Sequence, residues 1–175
     1  MHRYRIGSRP CIVLVAALTA TLPARAQSEA QAAATLMAKL TLSLTRFTQW
    51  PPGPTDALRI CVAGRDLAVS QAFAETDGQV VNGRRIQVVK SPPTSGCQVL
   101  FVHSSADRVP DLVRTASSGP VLVVGNVEGT LALGGMVEFV PLNDAIRFDV
   151  NMAAVRRAQL TLSSQVLKLA RQVRE

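Results

Sequence analysis

Gly134–Asn151, GGMVEFVPLNDAIRFDVN, contains two alternating runs with a break between them. In the first run Met136, Glu138 and Val140 fall on one face and Val137 and Phe139 on the other. Pro141, Asn143 and Asp144 interrupt it, because proline has no N–H for a ladder and Asn and Asp close turns with their own side chains. Alternation resumes over Ala145–Val150: Ile146, Phe148 and Val150 point one way, Arg147 and Asp149 the other. Asn151 is an N-cap residue type, and a small-residue helix is predicted over Met152–Gln159. Upstream, Gly134-Gly135 permits positive φ and a tight turn into the first strand. The stretch therefore reads as a β-hairpin feeding a helix, a local unit that pins a sheet edge to a domain.

Outward from this unit the chain alternates strands and helices. Ala33, Leu36, Met37, Leu40, Leu44 and Phe47 recur at three and four, which predicts a first helix over Ser28–Phe47. Trp50-Pro51-Pro52 ends it. Trp50 is either a core cap at the helix end or an aromatic that stacks on a ligand or partner. Leu58–Ala63 is a near-continuous apolar run, as in a strand covered on both faces. Gly64 and a helix from Asp66 to about Glu75 follow; a single glycine without a phosphate-loop pattern argues against nucleotide binding. Asn82-Gly83 predicts a second hairpin over Gln79–Val89, with Arg84, Arg85 and Lys90 as a charge-guarded edge. Cys97–His103 and Val121–Gly125 are further buried strands around a helix over Asp107–Ser117, and Val127–Leu133 is a short helix or turn. Ser164 is read as the cap of a last helix, Gln165–Val173, with Val166, Leu169, Ala170 and Val173 on one stripe. This order predicts one α/β domain: a mixed sheet, helices on both faces, and a C-terminal hairpin plus helices.

Four pieces in this order, TRFTQWP before the first strand, GGMVEFV, RFDVN and SSQVLKLA, resemble the YfiR-like family of periplasmic proteins. The resemblance spans roughly Ala30 to Val173, and Trp50, Gly134, Gly135, Phe148 and Asn151 are its signature positions here. It implies a periplasmic repressor that binds an inner-membrane sensor protein, typically a diguanylate cyclase, and holds it inactive. It also implies a homodimer.

The N-terminus agrees with export. Arg3, Arg5 and Arg9 precede an apolar run, Cys11–Leu22, too short to span a bilayer, and Ala24-Arg25-Ala26 fits a signal-peptidase site. Residues 1–26 are thus expected to be a cleaved signal peptide and 27–175 the periplasmic domain, with no stable membrane insertion after cleavage. Cleavage removes four arginines and no acid, so the net charge falls from +7 to +3. Such a charge, with aromatic residues at 4 %, gives no nucleic-acid footprint. Two cysteines then remain, Cys61 and Cys97. An even count in an exported chain suggests one disulfide, against two buried thiols. The resemblance favours the bridge, because YfiR-like proteins often tie the first strand to a later one; the second pair found in some members is missing here.

Catalytic chemistry is sparse. After cleavage His103 is the one remaining histidine. His103-Ser104-Ser105 offers a base and hydroxyls, but neighbours along a strand point to opposite faces, so a strand-end capping role is the simpler reading. No cofactor and no metal set is indicated, and the chain is expected not to be an enzyme. Binding is left, either to a partner protein or to a small solute as a sensor. Glu138, Arg147 and Asp149 on the hairpin, with Arg156 and Arg157 on the helix after it, are the candidate interface; alternatively Arg147 only pairs with Glu138 across the hairpin.

Overall fold

A computed structural model describes residues 22–52, 57–90, 96–143 and 145–175, with side chains from residue 26. In chain order the elements are α1 (Leu22–Arg46), β1 (Thr48–Gln49), β2 (Ala57–Ala63), α2 (Leu67–Ala74), β3 (Val80–Val81), β4 (Arg84–Lys90), β5 (Val99–Val102), α3 (Val109–Ala116), β6 (Leu122–Gly125), β7 (Val137–Leu142), β8 (Ala145–Asn151), α4 (Met152–Arg157), β9 (Thr161–Leu162), α5 (Ser164–Leu167) and β10 (Gln172–Arg174). The main sheet has eight strands in the order β10-β8-β7-β6-β5-β2-β4-β3. Neighbours from β4 to β7 run parallel, β7–β8 and β3–β4 are antiparallel, and β10 lies parallel to β8. β1 and β9 form a separate two-stranded pair. The α/β class, the mixed sheet and helices on both faces match the sequence-based expectation.

Near-continuous apolar strands need cover on both faces, and they have it. Ile60, Val62, Phe101 and Val124 point into one core with residues of α1, α2 and α4. Cys61, Leu100, Val102 and Val123 point into a second core with Val113 and Ala116 of α3. Phe73, Phe101 and Phe139 run through the first core with ring centroids 4.7 and 6.1 Å apart. Cys61 and Cys97 form a disulfide, with Cα atoms 5.9 Å apart, which ties β2 to the start of β5. Both cysteines are buried.

Local signals account for most element ends. Asp66 accepts from Val69 N (2.9 Å) and caps α2; Asn151 accepts from Ala154 N (3.0 Å) and caps α4. Asn82 and Gly83 turn β3 into β4 at φ 51° and 77°. The outer edge of β4 is also guarded. Gly78 N donates to Ile86 O, Ile86 N to Gln79 O, and Val88 N to Asp77 Oδ1.

Two expectations fail. The buried stripe of α1 is rotated: Ala34, Met37, Ala38, Thr41, Leu42, Leu44 and Thr45 are buried, while Leu36 and Phe47 are exposed. Thr41, Thr45 and Thr48 are polar by type yet buried, and their hydroxyls donate to the carbonyls of Met37, Thr41 and Leu44 at 2.7–2.8 Å. Each hydroxyl is satisfied within its own helix, so burial costs little. The last helix is also wrong beyond Leu167. Ser163, not Ser164, is its cap, α5 spans four residues, and the stripe dissolves into β10. The cause is tertiary: Arg171 N donates to Phe148 O (2.8 Å) and the Arg171 side chain grips Asp149, which draws the chain along β8 as a strand.

Candidate interaction surface on the C-terminal hairpin

The hairpin register fixes which residues share a face. Val137, Phe139 and Pro141 stand opposite Val150, Phe148 and Ile146; Glu138, Val140 and Leu142 stand opposite Asp149, Arg147 and Ala145. The first set faces the main core, where Phe148 and Val150 are buried. The second set looks outward. Glu138, Val140 and Asp149 of this set line one wall of an open cavity of about 610 Å³, whose other wall is the 126–132 loop; Arg147 lies outside its lining.

That loop is held by the glycines and their neighbours. Thr130 is fully buried, its hydroxyl donates to Val127 O (2.6 Å), and Gly135 N donates to Thr130 O (2.9 Å). A Cβ on Gly135 would lie 2.5 Å from Thr130 Cγ2, so only glycine fits. Gly134 sits at φ 101°, and its carbonyl accepts from the Ser117 hydroxyl (2.9 Å). Leu131 N donates to Glu138 Oε2 (3.1 Å), and Asn151 Nδ2 to Leu131 O (3.3 Å). The signature residues thus anchor the loop that walls the cavity.

The candidate interface residues are divided by the structure. Glu138 and Arg147 share the open face, but Arg147 lies opposite Val140 and makes no ion pair among the described residues. Asp149 shares the face yet is only 2 % exposed; Arg171 Nε and Nη2 donate to its two oxygens at 2.9 and 2.5 Å. The hydrogen bond to Asp149 is the main reason the Arg171 guanidinium holds its proton more tightly than usual. A forked pair of this kind fixes geometry as well as charge. Arg156 and Arg157 sit apart on α4, and Arg156 pairs with Glu175 (2.7 Å). Glu128 and Arg174 complete the charged lining of the cavity.

Trp50 packs against the main core from a half-buried position and donates from Nε1 to Gln98 O (3.2 Å). It also lines a second cavity, of about 650 Å³, with Pro51, Pro52 and Cys97. His103 does find a hydroxyl partner, two residues along rather than one. Its Nδ1 lies 2.8 Å from Ser105 Oγ, which accepts from Arg65 N (2.9 Å) and Asp66 N (3.1 Å). With both lone pairs of Ser105 used, its proton goes to Nδ1, and the neutral ring carries hydrogen on Nε2. Burial lowers the His103 pKa against the pull of Asp66. The pair stitches the loop after β2 to the loop after β5. Among the described residues no group of three or more His, Cys, Asp or Glu side chains is placed to hold a metal. No helix of the described residues is long and apolar enough to cross a membrane.

Sheet and surface together define a single mixed α/β domain with a charged, open hairpin face. The chain belongs to the YfiR/HmsC-like family, whose profile matches residues 34–171. No curated protein is significantly similar. Among solved structures, a conserved domain protein from Vibrio cholerae O1 biovar El Tor aligns with TM-score 0.55 and 9 % identity, over 81 % of this chain and 60 % of that one. The ABC domain from Streptococcus pneumonia, crystallised with L-Trp, aligns with TM-score 0.51 and 14 % identity, over 78 % of this chain and 60 % of that one. This chain therefore covers less than two thirds of either protein, and the likeness is one of fold.

Proposed function

We propose that the protein is a periplasmic regulator that binds the periplasmic sensor part of an inner-membrane diguanylate cyclase and holds the enzyme inactive. Cleavage after Ala26 would release a domain starting at Gln27, which acts as a homodimer and carries no enzymatic activity of its own. The observation that carries the reading is family membership joined to the open hairpin face, where Glu138 and Arg147 stand on a rigid strand pair fixed to the core. Arg147 is exposed and unpaired among the described residues, as suits a charge that steers and selects a partner. Such a repressor is an allosteric ligand: it binds the inactive state of the cyclase better than the active one. Moving the cyclase from mostly on to mostly off requires about 5.5 kcal/mol of differential binding.

The test is genetic. Deleting this chain is expected to raise cyclic di-GMP and biofilm, and deleting the cyclase as well to cancel the rise. Cyclic di-GMP that stays level under every growth condition tried would leave the second reading, a periplasmic solute sensor. The cavity beside Glu138, Arg171 and Arg174 favours that alternative.

A further inference from the structure

We propose that His103 is a proton-operated lock on the hairpin face: on taking up a proton, the ring parts the loops after β2 and β5, and the parting passes through Asn126 to the 126–132 loop and Glu138. The proposal rests on the reading of that face as the repressing surface and names an input to it.

The junction of the two loops is built around a neutral ring. Two donors meet Nδ1 of His103, the Ser105 hydroxyl (2.8 Å) and the Ser105 backbone N–H (3.2 Å). Ser105 Oγ in turn accepts from Arg65 N (2.9 Å) and Asp66 N (3.1 Å). A hydroxyl oxygen has two lone pairs, and both are spent. A proton on Nδ1 turns this acceptor into a donor. The backbone N–H of Ser105 cannot reverse. The hydroxyl can turn to accept from Nδ1–H only by releasing Arg65 N or Asp66 N, and with it the loop after β2. The loops are also in tight contact: a Cβ on Gly64 would lie 2.8 Å from His103 Cβ and 3.1 Å from Ser105 Oγ. Burial lowers the His103 pKa as well, while the attraction of Asp66 opposes that effect. The other charges on the loops that meet here are the exposed Arg65–Asp107 pair (3.0 Å), Arg108 and Glu128.

The junction is joined to the hairpin by hydrogen bonds. Ser104 N, between His103 and Ser105, donates to Asn126 Oδ1 (2.9 Å). Asn126 opens the 126–132 loop, and its N–H donates to Val102 O (3.1 Å). Near the far end of that loop Leu131 N donates to Glu138 Oε2 (3.1 Å), and Leu131 O accepts from Asn151 Nδ2 (3.3 Å). A shift of Ser104 therefore pulls on the loop that positions Glu138. With the ring neutral the lock is closed and repression holds. As pH falls from 6.5 through the lower folded value, the charged ring opens it.

Nuclear magnetic resonance titration of the exported protein tests the coupling without the partner. The His103 ring and the amides of Ser104 and Leu131 should share one midpoint, below 6.5. His103→Gln should abolish the step at both amides. Asn126→Ala should leave the midpoint of the ring in place and remove the step at Leu131. A Leu131 amide that stays still while the ring titrates overturns the coupling. So does a Leu131 step that survives His103→Gln, which would belong to Glu138, or one that survives Asn126→Ala. In cells, acidifying the medium through the midpoint should raise cyclic di-GMP with the parent protein and leave it level with His103→Gln. A rise that persists with His103→Gln overturns the lock. A deletion strain with parental cyclic di-GMP at neutral pH removes the repressor reading instead, and the amide titration still decides the coupling.

Discussion

The centre of the sheet and its hairpin end are built for different work. In β2, β5 and β6 nearly every residue is buried, the disulfide ties β2 to the start of β5, and the one charged residue, Arg59, is exposed near the beginning of β2. In β7 and β8 one face is equally apolar, while the other carries Glu138, Arg147 and Asp149 beside an open cavity. The hairpin borrows rigidity from the core through Phe139, Phe148 and Val150 and keeps its second face free. Stability and recognition are thereby separated within one sheet, so changes on the two sides should have unlike consequences.

The largest effect belongs to the centre. Phe101 is fully buried between Phe73 and Phe139, and Phe101→Ala should cost about 3–5 kcal/mol in denaturant unfolding. Phe148, 8 % exposed at the hairpin end, should cost about 3 kcal/mol as Phe148→Ala. A Phe148→Ala protein of parental stability that no longer binds its partner would reverse the assignment of the two hairpin faces.

Next in size is the disulfide. Closing a loop with a sequence separation of 36 corresponds to roughly 3–4 kcal/mol in the loop-entropy account. Cys61→Ser, Cys97→Ser and the double mutant should lose similar stability, and thiol labelling of the exported protein without reductant should find no free cysteine. Additive losses in the double mutant would contradict one shared bond.

Smaller effects are expected at the Asp149–Arg171 clamp, and they should be unequal. Arg171→Met leaves a buried carboxylate without its partner and should lower the melting temperature more. Asp149→Asn removes that charge and leaves a guanidinium with access to water, and should lower it less. Hydrogen exchange should show faster exchange along β10 in both. Equal losses would mean that the clamp is a surface ion pair.

The smallest effect is a pH dependence at the centre. The lowered pKa of His103 means that the fold favours the neutral ring. Its contribution is present in full above about 6.5 and fades as pH falls through the lower folded value. Asp66 and the Arg65–Asp107 pair are the charges around it. His103→Gln should flatten the acid side of the melting profile. An unchanged slope would show that the Ser105 stitch does not depend on His103.

The two regions were also unequally legible in the sequence. The hairpin faces from Val137 on follow from alternation, whereas Met136, read on the Glu138 face, precedes β7 and is buried in the main core with Val137; Asn151, Asp66 and Asn82-Gly83 marked their caps and turn correctly, because each acts on its immediate neighbours. The tail misled because Val166, Leu169 and Val173 sit at helical spacing, whereas Arg171 is claimed by Asp149, 22 residues earlier in the chain. No local pattern carries that pairing. The threonines of α1 misled in another way: they are polar by type, but their hydroxyls bond the preceding turn. That signal was present at Thr41 and Thr45. The Ser105 stitch was hidden because His103 lies at the strand end, where alternation no longer governs direction.

Cyclic di-GMP in cells that produce Arg147→Glu at the parental protein level tests the central claim most directly, because Arg147 is exposed, lies opposite Val140 and makes no ion pair among the described residues. The account predicts a folded protein of unchanged melting temperature and a cyclic di-GMP level raised to that of the deletion strain. A parental level of cyclic di-GMP in these cells, beside a raised level in the deletion strain, would contradict the hairpin face as the repressing surface.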